Sequence, residues 1–312
     1  MHLAEGTLPL AHAAAGWALA VPPLAWSLAG TRRGSGDPDA AARAASRLLP
    51  AATSLLFAAT LLPLPVPVLG ATSHICLTPV LALLLGVRAV VWPTFFVLGL
   101  QALFFAHGGL STLGVNTLSL GLLGPLAAVG CASVLRIAGA PAAIAVGVAC
   151  GIADLAVYLG DAAVLGVALA DIAAPVDTFS AVALGLAPVQ IPLAIVEGVV
   201  SVALVRLLVR RKPTLLPSWM ADLTVRPPPP GVTGALLVVL ALLGSGCNYQ
   251  GIDGTVFGAA AGRAGQSPTD SVVDLSQGEL GLAIGLLLPF TFGFVAGRTW
   301  ERLGGADHAP PR

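Results

Sequence analysis

Residues 141–160 read PAAIAVGVACGIADLAVYLG, twenty residues with one charge, Asp154. A bilayer's hydrocarbon core is about 30 Å thick and takes about 20 apolar residues as a helix, so this stretch alone is long enough to cross one. Similar runs recur at 8–30, 46–69, 75–91, 92–107, 114–137, 178–208, 232–248 and 280–299. The runs 75–91 and 92–107 are short, and the division between them is placed at Arg88–Pro93. The chain of 312 residues is 56% hydrophobic and 10% charged, with mean hydropathy +0.91; soluble domains carry roughly 25% charged residues. An all-α polytopic membrane protein with about nine transmembrane helices is predicted from these nine runs. Formal net charge is zero, which gives no reason to expect nucleic acid as a partner.

Charge placement fits the same count. Cytoplasmic loops collect Lys and Arg, and a nine-span topology puts fourteen of the fifteen basic residues on one side, leaving Arg263 alone on the other. That side is read as cytoplasmic, so the N-terminus is expected to face outward. A signal peptide is the rival reading, with Ala18-Leu19-Ala20 as its cleavage site. It lacks a basic n-region, since no Lys or Arg precedes Arg32.

The chain begins Met1-His2-Leu3-Ala4-Glu5-Gly6. His2 is bulky, so the initiator methionine should stay. The α-amine, the His2 backbone nitrogen and its imidazole Nδ1 can then close two fused chelate rings on one ion. One further imidazole completes a square-planar nitrogen set, which suits Ni(II) or Cu(II) and, less specifically, Co(II). The plain alternative is that His2 is an ordinary polar N-terminal residue. The topology also turns His74 and His107 outward, so three of the five histidines meet on one membrane face; His12 lies within the first span and His308 in the tail. Around His107 the sequence Ala106-His107-Gly108-Gly109-Leu110-Ser111-Thr112-Leu113-Gly114-Val115-Asn116-Thr117 has glycines for a tight loop and Ser, Thr and Asn side chains to hold it. Irregular backbone at membrane depth must be buried in protein or line a polar cavity. The cysteines at 76, 131, 150 and 247 show no metal-knuckle or disulfide spacing.

Four stretches together resemble the CbiM/NikM family, the substrate-binding membrane components of energy-coupling factor cobalt and nickel transporters. They are residues 1–6, the loop Ser73-His74-Ile75-Cys76-Leu77-Thr78-Pro79, residues 106–117, and Pro192-Leu193-Ala194-Ile195-Val196-Glu197-Gly198. The His74 loop departs from the Ser-His-Pro-Thr-Gly common in the family. The resemblance implies a metal held by the Met1 amine, the His2 amide nitrogen and imidazole, and the His74 imidazole. His107, Ser73 and Asn116 would be supporting groups, although His107 capping a turn and Cys76 as a ligand stay open. It also implies an alanine-rich face, here Ala14 and Ala18, docking on a CbiQ-like coupling subunit, with CbiO-like subunits as the ATPases. Glu197, read as too far from His2 to be a ligand, is expected to support helix packing or a partner contact. No Gly-x-x-x-x-Gly-Lys-Ser/Thr loop occurs, so ATP hydrolysis is expected elsewhere.

After Arg211-Lys212 comes a proline-rich linker ending in Pro227-Pro228-Pro229-Pro230, then two runs bracketing a loop at about 249–279. This tail resembles the two-span subunit CbiN. The expected division is a seven-helix core at 1–212, a linker at 213–231 and a two-helix module at 232–312. The reading is a subunit of a bacterial inner-membrane importer with an extracytoplasmic N-terminus, no organic cofactor, and Co(II) or Ni(II) as cargo. Glu5-Gly6 and the tail lean it toward cobalt. An intramembrane metalloprotease would need His-Glu-x-x-His, which is absent, and a secondary transporter should show internal repeats. The amine must be deprotonated to bind, with a reference pKa of about 7.7–8.0, so binding should weaken in acid.

Overall fold

A computed structural model describes residues 2–32, 40–61, 64–66, 71–105, 107–171, 174–211, 216–224, 250–266, 287 and 291. The runs at 232–248 and 280–299 therefore lie outside the described residues, apart from positions 287 and 291. The framework is helical: α1 (Leu10–Arg32), α2 (Ala40–Leu61), α3 (Thr78–Leu85), α4 (Val87–Phe104), α5 (Leu113–Leu118), α6 (Gly124–Ile137), α7 (Ala142–Ala168), α8 (Pro175–Arg211) and α9 (Ile252–Arg263). By length and apolarity, four described segments qualify as membrane spans: Val87–Phe104, Leu113–Ile137, Ala142–Ala168 and Pro175–Arg210.

Local chemistry sets the boundaries. Span two was expected to run to residue 69, but α2 ends at Leu61 because prolines at 63, 65 and 67 cannot continue it. The chain goes on instead as β1 (Leu64–Val66) and its antiparallel partner β2 (Ala71–Ser73). A third strand, β3 (Gln250–Gly251), joins β2 in parallel, so a small three-stranded sheet supplements the expected all-α architecture. The expected break at Arg88–Pro93 falls instead at Gly86, whose φ of 85° suits glycine, and Pro93 sits inside α4. Thus α3 has only eight residues, about 12 Å at 1.5 Å per residue, and is too short to span.

Between α5 and α6 the helix widens into a π-turn at Ser119–Leu123. Pro125, just beyond it, has no N–H to give the preceding turn, which favours the wider spacing. There the Ser119 hydroxyl donates to the Asp161 carboxylate of α7. Gly139 at φ 76° closes α6, with its N–H on the Arg136 carbonyl and that of Ala140 on Leu135, before Pro141 opens α7.

Small residues let helices touch. A Cβ on Gly198 of α8 would fall 2.5 Å from the Gly147 carbonyl oxygen of α7, and one on Gly166 would fall 2.7 Å from that of Pro175. These contacts make α7 and α8 an antiparallel hairpin. Likewise Gly114 of α5 lies against the α1 backbone at Gly16 and Trp17, a close approach typical of helices in membranes. The N-terminal end of α1 and the C-terminal ends of α4 and α7 share one end of the bundle. Arg88, Arg136, Arg206 and Arg210 lie on helix termini at the opposite end. Arg88 is anchored there by its Nε–H to the Trp26 carbonyl at 2.8 Å, and Arg136 lies over the Trp219 ring at 4.6 Å.

Adding a methyl group at Gly114 would place a carbon 2.5 Å from backbone atoms of α1, which cannot rotate away. Gly114→Ala should destabilise the fold by about 1–3 kcal/mol, read as a lower melting temperature in detergent. The same change at Gly130, with open space around it, should leave the melt unchanged.

Candidate metal centre

The segment after His2 has no helix of its own; loop 107–117 holds it. The Leu3 N–H donates to Asn116 Oδ1 at 2.9 Å, and Asn116 Nδ2 returns a bond to the Leu3 carbonyl at 3.0 Å. The Thr112 hydroxyl donates to that carbonyl at 2.6 Å. Two residues on, Glu5 Oε2 accepts the Ser111 N–H at 2.9 Å. Gly109 makes this contact possible, since a Cβ there would lie 2.5 Å from the Glu5 Cα. Gly108, at φ 80°, passes beside the His2 side chain.

Against this clamp stand three imidazoles. Ring centroids are 4.7 Å apart for His2 and His74, 4.5 Å for His2 and His107, and 5.2 Å for His74 and His107. One ring nitrogen from each lies within 4.8 Å of the other two. His2 and His74 are buried, and neither ring nitrogen of His2 has a hydrogen-bond partner among the described residues. His107 bonds the Thr60 backbone, while its Nε2 is left without a partner. Such a bond fixes one ring nitrogen and leaves the other to accept an ion. Burial drives the pKa of all three well below the ordinary histidine value, that of His107 to about 3, and nearby positive charge adds to it. The rings are therefore neutral at physiological pH, with their lone pairs available.

His74 reaches the cluster from a segment that dips into the bundle. β2 ends at Ser73, whose hydroxyl donates to Gln190 Oε1 of α8 at 3.2 Å. Residues 74–77 then run without regular structure to α3. Their amides meet Glu197: Cys76 N–H donates to Oε2 at 2.9 Å and Leu77 N–H to Oε1 at 3.0 Å. Leu77 itself takes a left-handed conformation, φ 55°. The Cys76 thiol donates to Asp154 Oδ1 at 3.2 Å. Glu197 thus satisfies the two amides that immediately precede α3.

Of the residues singled out in the sequence, His2, His74 and His107 come together, and Ser73 and Asn116 each brace a histidine-bearing segment. Met1 lies outside the described residues. Ala14 and Ala18 are exposed on α1, whereas Glu197 is fully buried and hydrogen-bonds the segment that follows His74. His107 stands nearer to His2, at 4.5 Å, than His74 does, at 4.7 Å. The bonds from Glu5, Thr112 and Gln190 went unforeseen, because sequence spacing carries no signal for contacts more than one hundred residues apart.

The profile of the CbiM family, described as "Cobalt uptake substrate-specific transmembrane region", matches residues 2–215. The chain is 35% identical over 315 residues to the cobalt transport protein CbiM of Geobacter sulfurreducens, covering 97% of this chain and 90% of that one. It is 38% identical over 216 residues to the cobalt transport protein CbiM of Sorangium cellulosum, covering 69% of this chain and 94% of that one. The crystal structure of a truncated transition metal transporter shares the fold, with TM-score 0.57 at 21% identity, over 67% of this chain and 99% of that one.

Two measurements test this geometry. Glu197→Ala leaves the amides of Cys76 and Leu77 unpaired at about 1–3 kcal/mol each; the melting temperature should drop, and Glu197→Gln, which keeps one acceptor oxygen, should fall between it and the native chain. The second is acid sensitivity. Unfolded imidazoles take protons near pH 6.5 while the buried ones resist, so the unfolded state binds more protons and stability is lost as pH falls from about 6.5 towards 3. The melting temperature of metal-free protein should decline across that window, less steeply in His107→Asn.

Proposed function

We propose, from the premise that the chain belongs to the CbiM family, that its histidine cluster captures a divalent cobalt ion as the cargo of an ATP-driven energy-coupling factor importer. The observation that carries this reading is the set of three imidazole nitrogens, one each from His2, His74 and His107, within 4.8 Å of one another, with both ring nitrogens of His2 lacking a hydrogen-bond partner among the described residues. A late first-row ion suits such ligands, and a hard ion such as Mg²⁺ prefers oxygen. The ligand set is the Met1 amine, the His2 amide nitrogen and imidazole, and the His74 imidazole, with His107 beside them as an orienting group. Ni(II) satisfies the same nitrogens and is the nearest competitor.

The histidine end is the extracytoplasmic face of the bacterial inner membrane; the arginines at helix ends on the opposite side support this by the bias of cytoplasmic loops towards basic residues. Energy enters through a CbiQ-like coupling subunit and CbiO-like ATPases, since the chain has no phosphate-binding loop of its own. The division into a core at 1–212, a linker at 213–231 and a CbiN-like two-helix module at 232–312 is supported by the family match ending at residue 215.

An alanine inserted between Met1 and His2 keeps every side chain but changes the chelate rings. Purified native protein offered Co(II) and Ni(II) together should retain one ion per chain, and the insertion should lower affinity at least a hundredfold, as should His74→Ala. Native affinity should fall as pH drops below about 8, where the amine gains its proton. Equal binding by the insertion variant would remove the N-terminal amine from the ligand set.

A further inference from the structure

On the outer side of the α7–α8 hairpin an open groove of about 740 Å³ runs along both helices, within the size range of ligand sites. Its floor is glycine: Gly147 and Gly198 touch backbone to backbone, and Gly151 lies 2.8 Å, measured from a Cβ position, from the Ala194 carbonyl oxygen. Apolar side chains form the walls, among them Ile152 and Ile195, exposed at 46% and 66%. From Ile191 to Arg210 the lining covers about 28 Å of helix, close to the bilayer core of about 30 Å.

One end differs. Arg206 and Arg210, one helical turn apart and so on one face of α8, are the only charged residues that line the groove. No carboxylate lies among the lining residues, and Arg206 Nε is buried without a hydrogen-bond partner among the described residues. The mouth at this end therefore carries positive charge beside a long apolar slot.

We propose that the groove is a binding site for an anionic phospholipid. Its phosphate accepts from the guanidinium groups of Arg206 and Arg210, and one acyl chain lies along the glycine floor. Guanidinium matches phosphate geometry with paired N–H donors. A membrane helix from a partner would fill the apolar slot too, but it would have to bring its own acid to the two arginines, a costly group within the bilayer. A phospholipid has charge at the interface and chain below it in one molecule.

The test uses the full chain, delipidated in detergent, with phosphatidylglycerol, phosphatidylcholine or inorganic phosphate added and binding read by native mass spectrometry. One phosphatidylglycerol should be retained at least tenfold more tightly than phosphatidylcholine, and phosphate alone should not displace it. Arg210→Gln, at an exposed position, should weaken retention about tenfold and Arg206→Gln/Arg210→Gln more. Ile195→Trp, which fills the slot from its exposed wall, should weaken it with both arginines intact. Melting temperatures equal to the native value identify the variants that remain folded. Equal affinity for the two lipids, or unchanged retention in folded Arg210→Gln and Ile195→Trp, overturns the proposal. So does a photo-crosslinker at Val199 that captures the coupling subunit instead of lipid in phosphatidylglycerol vesicles.

Discussion

Backbone amides inside a membrane must find partners within the protein, because no water is there to serve them. The carboxylate of Glu197 meets that requirement for Cys76 and Leu77, and the rest of the arrangement hangs on it. With those amides satisfied, the chain can leave β2, descend into the bundle and start α3 partway down. Without such a partner the same segment would have to form a full helix or stay in the surface loop, and His74 would not stand beside His2. The buried acid is tolerated for the same reason: its two oxygens accept two amide hydrogen bonds just before a helix start.

Two independent supports therefore converge on the imidazoles. His74 is tied to α8, through Ser73 on Gln190 and through the amides on Glu197. His2 is tied to loop 107–117 through Asn116 and Thr112 on Leu3. Chain termini usually fray, but here Leu3 is fully buried and bonded at both backbone groups. That ordering belongs to the fold itself.

Much of this was legible in the sequence, and the remainder was hidden for physical reasons. Apolar runs and the placement of arginines gave the long helices because both are local properties. His2, His74 and the glycine loop were readable as a group because topology turned them to one face. The boundaries of the short elements were not. Residues 75–91 look like a span because Leu, Val and Ala fill them, yet apolar composition cannot distinguish a helix that crosses from one that begins halfway. The strands at 64–66 and 71–73 were hidden by the same apolar residues, although the prolines at 63, 65 and 67 argued against a helix there. Glu197 was readable as a costly buried acid, but its partners lie about 120 residues away in sequence, where no spacing rule reaches.

The loop 107–117 has two jobs at once, and they are mechanically linked. It carries His107, whose ring is set by the Thr60 backbone, and it clamps the segment that carries His2. A displacement of this loop must move both rings relative to His74, which is anchored separately on α8. Glycine at 109 is what permits this clamp, since any side chain there would strike the Glu5 backbone.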